Sequence, residues 1–115
     1  MKKALLLGMA AAFAMIGAAK ADPVDLSTYA DKDGYILVKK LTCAQLANTY
    51  QEDANFLGVW YSGWYNGLGK KSALNVPRVK EGIHQTIVYC QAHPEKTIIE
   101  AIGILIKQEK AMSTK

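Results

Sequence analysis

Two cysteines and two histidines have the most versatile chemistry of any residues in this chain. Cys43 and Cys90 can form a disulfide, bind a metal or act in redox exchange, and His84 and His93 can act as bases or ligands. A metal site usually needs more ligands, and no His/Cys cluster accompanies either thiol. A redox site favours the close Cys-x-x-Cys spacing, which is absent. These observations favour a structural disulfide between Cys43 and Cys90.

The start of the chain supports this interpretation because it has the pattern of a secretory signal peptide. Met1-Lys2-Lys3 is basic, Ala4 to Ala18 is apolar, and Ala19-Lys20-Ala21 offers the small residues that a signal peptidase reads. The apolar stretch is shorter than the ~20 residues that span a bilayer, which disfavours the alternative of a membrane anchor. We predict a signal peptide at 1–21, export to the periplasm and no anchor after cleavage. Disulfides persist in that compartment.

The charge of the mature chain gives no argument for a nucleic-acid or anionic-lipid partner. Removing Lys2, Lys3 and Lys20 lowers the formal net charge from +4 to +1. When every carboxylate is protonated and both histidines are charged, the mature side chains carry +13. Self-repulsion at that charge strains a small fold, so opening in acid is physically possible.

Helix signals follow a polar segment at 22–40, which we interpret as an N-terminal arm. The Thr42-to-Gln45 spacing is that of a capping box and predicts a helix to about Thr49. A second helix is predicted over 52–68, where aromatic and aliphatic residues make a wide apolar face. Each glycine in it weakens the helix by about 1 kcal/mol relative to alanine, unless its missing side chain lets another helix pack closely. These glycines are Gly58, Gly63 and Gly67.

Two more helices are predicted towards the end of the chain. Asn75 can cap the third, with Pro77 in its first turn. The fourth is predicted to begin at Pro94-Glu95, with His93 as its cap, and its isoleucines cover most of the circumference. A β-strand is the alternative there because isoleucine favours strands. The apolar stripe of the third helix consists of Val76, Val79, Ile83, Ile87 and Cys90. The predicted fold class is all-α, a small single-domain bundle of about four helices with one disulfide.

No catalytic motif is recognisable. The chain has no Gly-rich phosphate loop in a strand context and no Gly-x-Ser-x-Gly elbow, and a Cys–His pair would need a free thiol. We therefore predict that the protein is not an enzyme and that it uses no metal and no cofactor. The remaining candidate for function is apolar surface, although ordinary core is the commoner role of any single apolar residue.

Two cysteine-centred segments and the aromatic helix between them carry a family resemblance. Leu41-Thr42-Cys43 and Tyr89-Cys90-Gln91-Ala92-His93-Pro94 resemble the HdeA/HdeB family of periplasmic acid-stress chaperones, over roughly 41–106. The resemblance implies a compact helical domain at 41–112, the Cys43–Cys90 bond, and a homodimer that is idle near neutral pH. It also implies that strong acid dissociates and partly unfolds the dimer, whose apolar segments then hold unfolded periplasmic proteins without ATP.

The resemblance and the apolar pattern together select candidate residues for client and dimer binding. They are Phe56, Leu57, Val59, Trp60 and Trp64 on the second helix, and Ile98, Ile102 and Leu105 on the fourth. An alternative function is that of a periplasmic immunity-type protein that blocks one specific partner at neutral pH. The His-Pro-Glu start of the fourth helix is loosely similar to immunity proteins of a type VI secreted amidase. A structural or sensor protein of the envelope is a third alternative.

Overall fold

The computed structural model describes residues 22–113, and the predicted signal peptide at 1–21 lies outside them. A 3-10 turn at Leu26–Tyr29 precedes the α-helices, which are α1 (Cys43–Ala47), α2 (Gln51–Leu68), α3 (Val76–Ala92) and α4 (Ile98–Ser113). The prediction of an all-helical single domain with one disulfide is confirmed. No helix within 22–113 is long and apolar enough to cross a membrane.

The first helix begins where the capping box predicts and ends earlier. Gln45 donates its backbone N–H to the Thr42 hydroxyl at 3.1 Å, and the Gln45 side chain accepts the Thr42 N–H at 2.9 Å. The helix ends at Ala47 and not near Thr49. The reason is tertiary, because the Asn48 carbonyl accepts the Val24 N–H at 2.9 Å and Thr49 pairs with Val24 in a short parallel bridge.

The fourth helix begins four residues later than its predicted start at Pro94. Thr97 caps it, since its hydroxyl accepts the Glu100 N–H at 3.1 Å while the Glu100 carboxylate accepts the Thr97 N–H at 2.9 Å. These bonds lower the pKa of Glu100, with the backbone bond from Thr97 as the main cause. Residues 94–96 form a turn, in which the Lys96 N–H donates to the His93 carbonyl at 3.1 Å. The Lys96 carbonyl accepts the Cys43 N–H at 2.7 Å, and Thr97 pairs with Thr42 in an antiparallel bridge.

His93 ends α3 and does not cap α4 as predicted. Its backbone N–H donates to the carbonyl of Tyr89 at 3.0 Å, and its ring stacks on the Tyr89 ring at 4.2 Å between centroids. The start of α3 agrees with the prediction, since the Asn75 side chain accepts the Arg78 N–H at 3.0 Å and Pro77 lies in the first turn.

The core lies around the disulfide, where α1, α3 and α4 meet. Cys43 and Cys90 are fully buried and bonded to each other. Ile98 and Ala101 of α4 pack there, together with Ala54, Leu57 and Tyr61 of α2. Burial raises the pKa of Tyr61 to about 12, so its hydroxyl remains a neutral donor.

Of the three glycines of α2, only Gly58 lies in close contact with another helix of the described chain. A Cβ atom at Gly58 would lie 2.6 to 2.9 Å from three side-chain carbons of Ile83, so α2 packs on α3 at this point. A Cβ at Gly63 or Gly67 would have no neighbour within 4 Å. The close packing that the sequence suggested for all three glycines is therefore confirmed at Gly58, and no part of the described chain packs at Gly63 or Gly67.

Candidate functional site

One side of α2 presents an uncovered apolar surface. Phe56, Val59 and Trp60 have exposed fractions of 65%, 56% and 43%. At 100° per residue they share a face with Gly63 and Gly67, and the buried Leu57 and Tyr61 lie about 100° and 140° around the helix from Phe56. We call these five exposed-face residues, 56, 59, 60, 63 and 67, the aromatic ridge. A row of large apolar residues beside two bare glycines allows another helix to approach closely.

The rings of the ridge are ordered by contacts within α2. Trp60 stacks on Trp64 with centroids 6.1 Å apart and an angle of 25° between the rings, and it meets the edge of Tyr61 at 5.4 Å. Trp64 in turn meets the edge of Tyr65 at 5.1 Å. A pre-ordered aromatic surface loses little conformational entropy when it binds.

The ridge contains no titratable side chain. The only charged residues of α2 are Glu52 and Asp53, both in its first turn. The apolar character of the ridge therefore does not change with pH. Any acid response of this surface must come from charges elsewhere in the molecule.

The predicted binding residues divide among three environments. Phe56, Val59 and Trp60 are on the aromatic ridge, whereas Trp64 is half-buried against the core. Leu57 and Ile98 are core residues and are covered in the folded chain. The remaining two, Ile102 and Leu105, are half-buried and line a groove on another side of α2. The structure therefore does not join the eight residues into one surface.

This groove, the central groove, lies between α2 and α4 and has α3 as its floor. Its volume is about 550 Å³, within the usual range for ligand pockets. Tyr61 and Tyr65 form the α2 wall, where burial raises the pKa of Tyr65. An ion pair of 3.1 Å between Arg78 and Glu109 joins α3 to α4 beside it.

The apolar stripe of α3 is covered by the rest of the described chain only in part. Cys90 is buried and Ile83 is half-buried, whereas Val76 in the first turn is 50% exposed. Sequence reasoning missed Arg78, Gly82 and Tyr65 as groove residues. The four-residue spacing of Ile98, Ile102 and Ile106 was the available signal for the α4 wall.

No group of three or more His, Cys, Asp or Glu residues in the described part of the chain is arranged to hold a metal ion. The features of the site that could bind a partner are its shape and its apolar surface. It offers a pre-ordered ridge, a preformed groove and, behind the ridge, apolar residues that become accessible only when the packing around α2 opens.

Comparison with known families gives one finding. The sequence model of the HdeA/HdeB family matches residues 4–100, which include both cysteines, all of α1 to α3 and the start of α4. None of the curated proteins matches the chain. None of the solved structures matches it either.

Proposed function

The chain belongs to the HdeA/HdeB family, a family of periplasmic acid-stress chaperones, and from this premise we propose that it is an ATP-independent holdase activated by acid. The buried disulfide fits the oxidising periplasm. The observation that carries the proposal is that α2 is apolar on both its exposed and its buried side. It carries no charged residue after Asp53.

In this proposal, two features activate the holdase in acid. They are the positive charge of the mature chain and the disulfide that links its helices. Protonation of the carboxylates and histidines brings the mature side chains towards +13, and this repulsion opposes both a dimer and tight packing. The Cys43–Cys90 bond closes a loop that contains all of α2. When packing loosens, α2 therefore remains close to α1 and α3, and its apolar sides become a tethered binding surface for unfolded periplasmic proteins.

Near neutral pH, the aromatic ridge of one copy packs against that of a second copy in this proposal. Phe56 and Trp60 supply the aromatic anchors that dominate interface energies, while Gly63 and Gly67 let the two backbones approach. In such an interface the same surface patch of each copy contacts its counterpart, so the result is a dimer with two-fold symmetry. The dimer hides the ridge until acid separates the copies.

The holdase predicts protection that depends on pH. At pH 2–3 we expect the wild-type protein to suppress the aggregation of an acid-sensitive client, and at pH 7 we expect no effect on the same client aggregated by heat. Light scattering with and without the protein measures both. Equal scattering with and without the protein at pH 2–3 rejects the holdase.

If the ridges of two copies form the dimer interface, substitutions on the ridge should weaken dimerisation. Phe56→Ser with Trp60→Ser is expected to weaken the dimer at pH 7 at least about a thousandfold, because the loss of two interface anchors of about 2 kcal/mol each is about 4 kcal/mol, and about 1.4 kcal/mol corresponds to tenfold in affinity. Sedimentation velocity measures this change. Val88→Ser is the matched control, since Val88 is also exposed but lies on α3 outside the ridge. Equal dimer affinity of the ridge variant and the control contradicts the ridge interface.

The second candidate function is specific binding of one partner at neutral pH, as in an immunity-type protein. The central groove favours it, because the groove is open in the folded chain and needs no acid. Gly82→Leu would fill the groove floor, and Gly103→Leu is its control outside the groove, with no atom within 4 Å of either Cβ position. Tight binding of one purified partner at pH 7 that only Gly82→Leu abolishes would favour this candidate.

A further inference from the structure

Charge is distributed unevenly along the described chain. Residues 67–80, from the end of α2 to the first turns of α3, carry three lysines and one arginine and no acidic residue. Residues 107–112, near the end of α4, carry two lysines and one glutamate. These two segments, which we call the basic tip, have a formal charge of +5, and the rest of residues 22–113 has −5 with the histidines neutral. The zero net charge of this range therefore conceals a strong separation of charge.

The two segments of the basic tip meet at one end of the bundle. Gly58 and Ile83 lie at similar distances from the loop that joins α2 to α3, so their contact makes the two helices antiparallel. The end of α4 reaches the start of α3, where Arg78 donates to Glu109 at 3.1 Å. Cys90 lies 12 residues beyond Arg78, about 18 Å along α3 at about 1.5 Å per residue, so the disulfide is at the opposite end.

The basic tip also exposes large apolar side chains. Every residue from 67 to 78 is exposed, so the described chain leaves this loop largely uncovered. Four large apolar side chains of the tip are at least half exposed, those of Leu68, Leu74, Val76 and Met112. Single exposed apolar residues are common on soluble proteins, but a group of them rimmed by charged residues marks an interaction surface.

The cations of the tip are available to a partner. Lys70 and Lys71 are exposed, and none of the ion pairs within the described chain involves them. Arg78 contacts Glu109, but a guanidinium has several N–H donors in a planar fork, so it can bind a second anionic group. The tip therefore presents positive charge around its apolar side chains.

A membrane surface that contains anionic lipids matches both properties of the tip. Lysine and arginine side chains bind its headgroups, and leucine and methionine side chains enter the boundary between headgroups and acyl chains. Nucleic acid would match the cations but would leave the apolar side chains without a partner, because its phosphates supply the contacts of non-specific binding. The acidic remainder of the chain adds a direction, since an anionic surface repels it while attracting the tip.

We propose that the basic tip binds an anionic phospholipid surface near neutral pH, with Leu68, Leu74 and Met112 in the headgroup region. For an exported chain, this surface is a membrane face that borders the periplasm. Trp60 lies eight residues before Leu68, about 12 Å along α2, so binding through the tip leaves the anchors of the aromatic ridge free. The inference goes beyond the holdase and does not depend on it, because it concerns the folded chain at neutral pH.

Co-sedimentation with vesicles tests the binding at pH 7. The chain without residues 1–21 is mixed with vesicles of phosphatidylglycerol and phosphatidylcholine in equal parts, or with vesicles of phosphatidylcholine alone. We expect at least about tenfold tighter binding to the anionic vesicles at low ionic strength, and loss of most of this difference at about 1 M salt, where charges are screened within about 3 Å. Equal binding to both kinds of vesicle, or binding to neither, overturns the proposal.

Removing two cations from the tip is expected to weaken binding to the anionic vesicles at least about tenfold, since each lysine near such a surface contributes on the order of fivefold. The variant is Lys70→Gln with Lys71→Gln. Lys39→Gln with Lys40→Gln is the matched control, because it removes another exposed lysine pair, which lies just before α1 at the disulfide end. We expect the control to bind as the wild type does, and equal weakening by both variants overturns the tip as the contact.

Removing apolar side chains from the tip distinguishes a lipid surface from a polyanion. Leu68→Ser with Leu74→Ser is expected to weaken vesicle binding at least about fivefold, because both positions lose apolar area that enters the boundary region. Tyr35→Ser with Leu37→Ser is the matched control, since these two side chains are also mostly exposed but lie on the N-terminal arm. All the positions changed are exposed, so urea unfolding at pH 7 is expected to give nearly wild-type stability for each variant.

Two other outcomes give the tip a different partner. If duplex DNA binds as tightly as the anionic vesicles, and the leucine variant binds both as the wild type does, the tip is a general polyanion site and the membrane proposal is overturned. If the variant of Lys70 and Lys71 weakens self-association of the chain without lipid, measured by sedimentation velocity, the acidic part of a second copy occupies the tip, which also overturns it. Failure to protect clients at pH 2–3 rejects the holdase and leaves the vesicle result unaffected.

Discussion

Replacing Cys43 and Cys90 together with alanine is expected to lower the free energy of unfolding at pH 7 by about 4 kcal/mol, the chain-entropy value for a loop of this length. The two cysteines are 47 residues apart in sequence, and both are fully buried. The free energy of unfolding of a small domain is about 5–15 kcal/mol, so the loss is a large share of its stability. Urea unfolding followed by tryptophan fluorescence, at one fixed protein concentration, measures it.

The two single variants are the control for this prediction. Cys43→Ala and Cys90→Ala each remove the same bond, so each is expected to lose nearly as much as the double variant, and the losses should not add. The variants also test the tethering of α2, because client protection at pH 2–3 is expected to fall when the loop is open. A loss of stability below about 1 kcal/mol contradicts the structural role of the bond.

Replacing Gly58 with leucine is expected to destabilise the fold by about 3 kcal/mol, the upper part of the range for overpacking a core. The new Cβ would lie within 2.6 to 2.9 Å of three carbons of Ile83, so α2 and α3 must separate or Ile83 must leave its position. Urea unfolding at pH 7 measures the loss. The same separation would disturb the α2 and α3 sides of the central groove.

Gly103→Leu is the matched control, because Gly103 lies on α4 and outside the aromatic ridge. Its Cβ has no neighbour within 4 Å, and leucine is a better helix former than glycine by nearly 1 kcal/mol, so a small gain in stability is expected. Adding Ile83→Ala to Gly58→Leu should recover part of the loss, because it removes the clashing atoms. Equal stability of the Gly58→Leu and Gly103→Leu proteins contradicts the close packing.

The helices were largely predictable because their signals are local. The Thr42 capping box, the Asn75 cap and the end of α2 at Leu68 all follow from residues within one or two turns. The start of α4 was missed although Thr97 and Glu100 have the same capping-box spacing. Pro94 gave a competing start signal, and the pairing of Thr97 with Thr42 decides between the two.

The candidate site was less predictable because both sides of α2 are apolar. Sequence periodicity selected Leu57 and Trp60 alike, but only Trp60 is exposed. The difference depends on the arm and on α3, whose contacts with α2 join residues far apart in sequence. Likewise, Glu52 and Asp53 are equivalent in sequence, and only Asp53 accepts the Leu26 N–H.

The sequence alone determined the type of fold, the cysteine pair and the family resemblance. These features are encoded by residue type, short-range spacing and short motifs, which do not depend on how the helices are arranged. Only the tertiary structure decided which glycine contacts Ile83, which apolar residues remain exposed and which carboxylate holds the arm. Each of these depends on long-range packing, where a backbone shift of an ångström or a neighbour many residues away determines burial and hydrogen bonding.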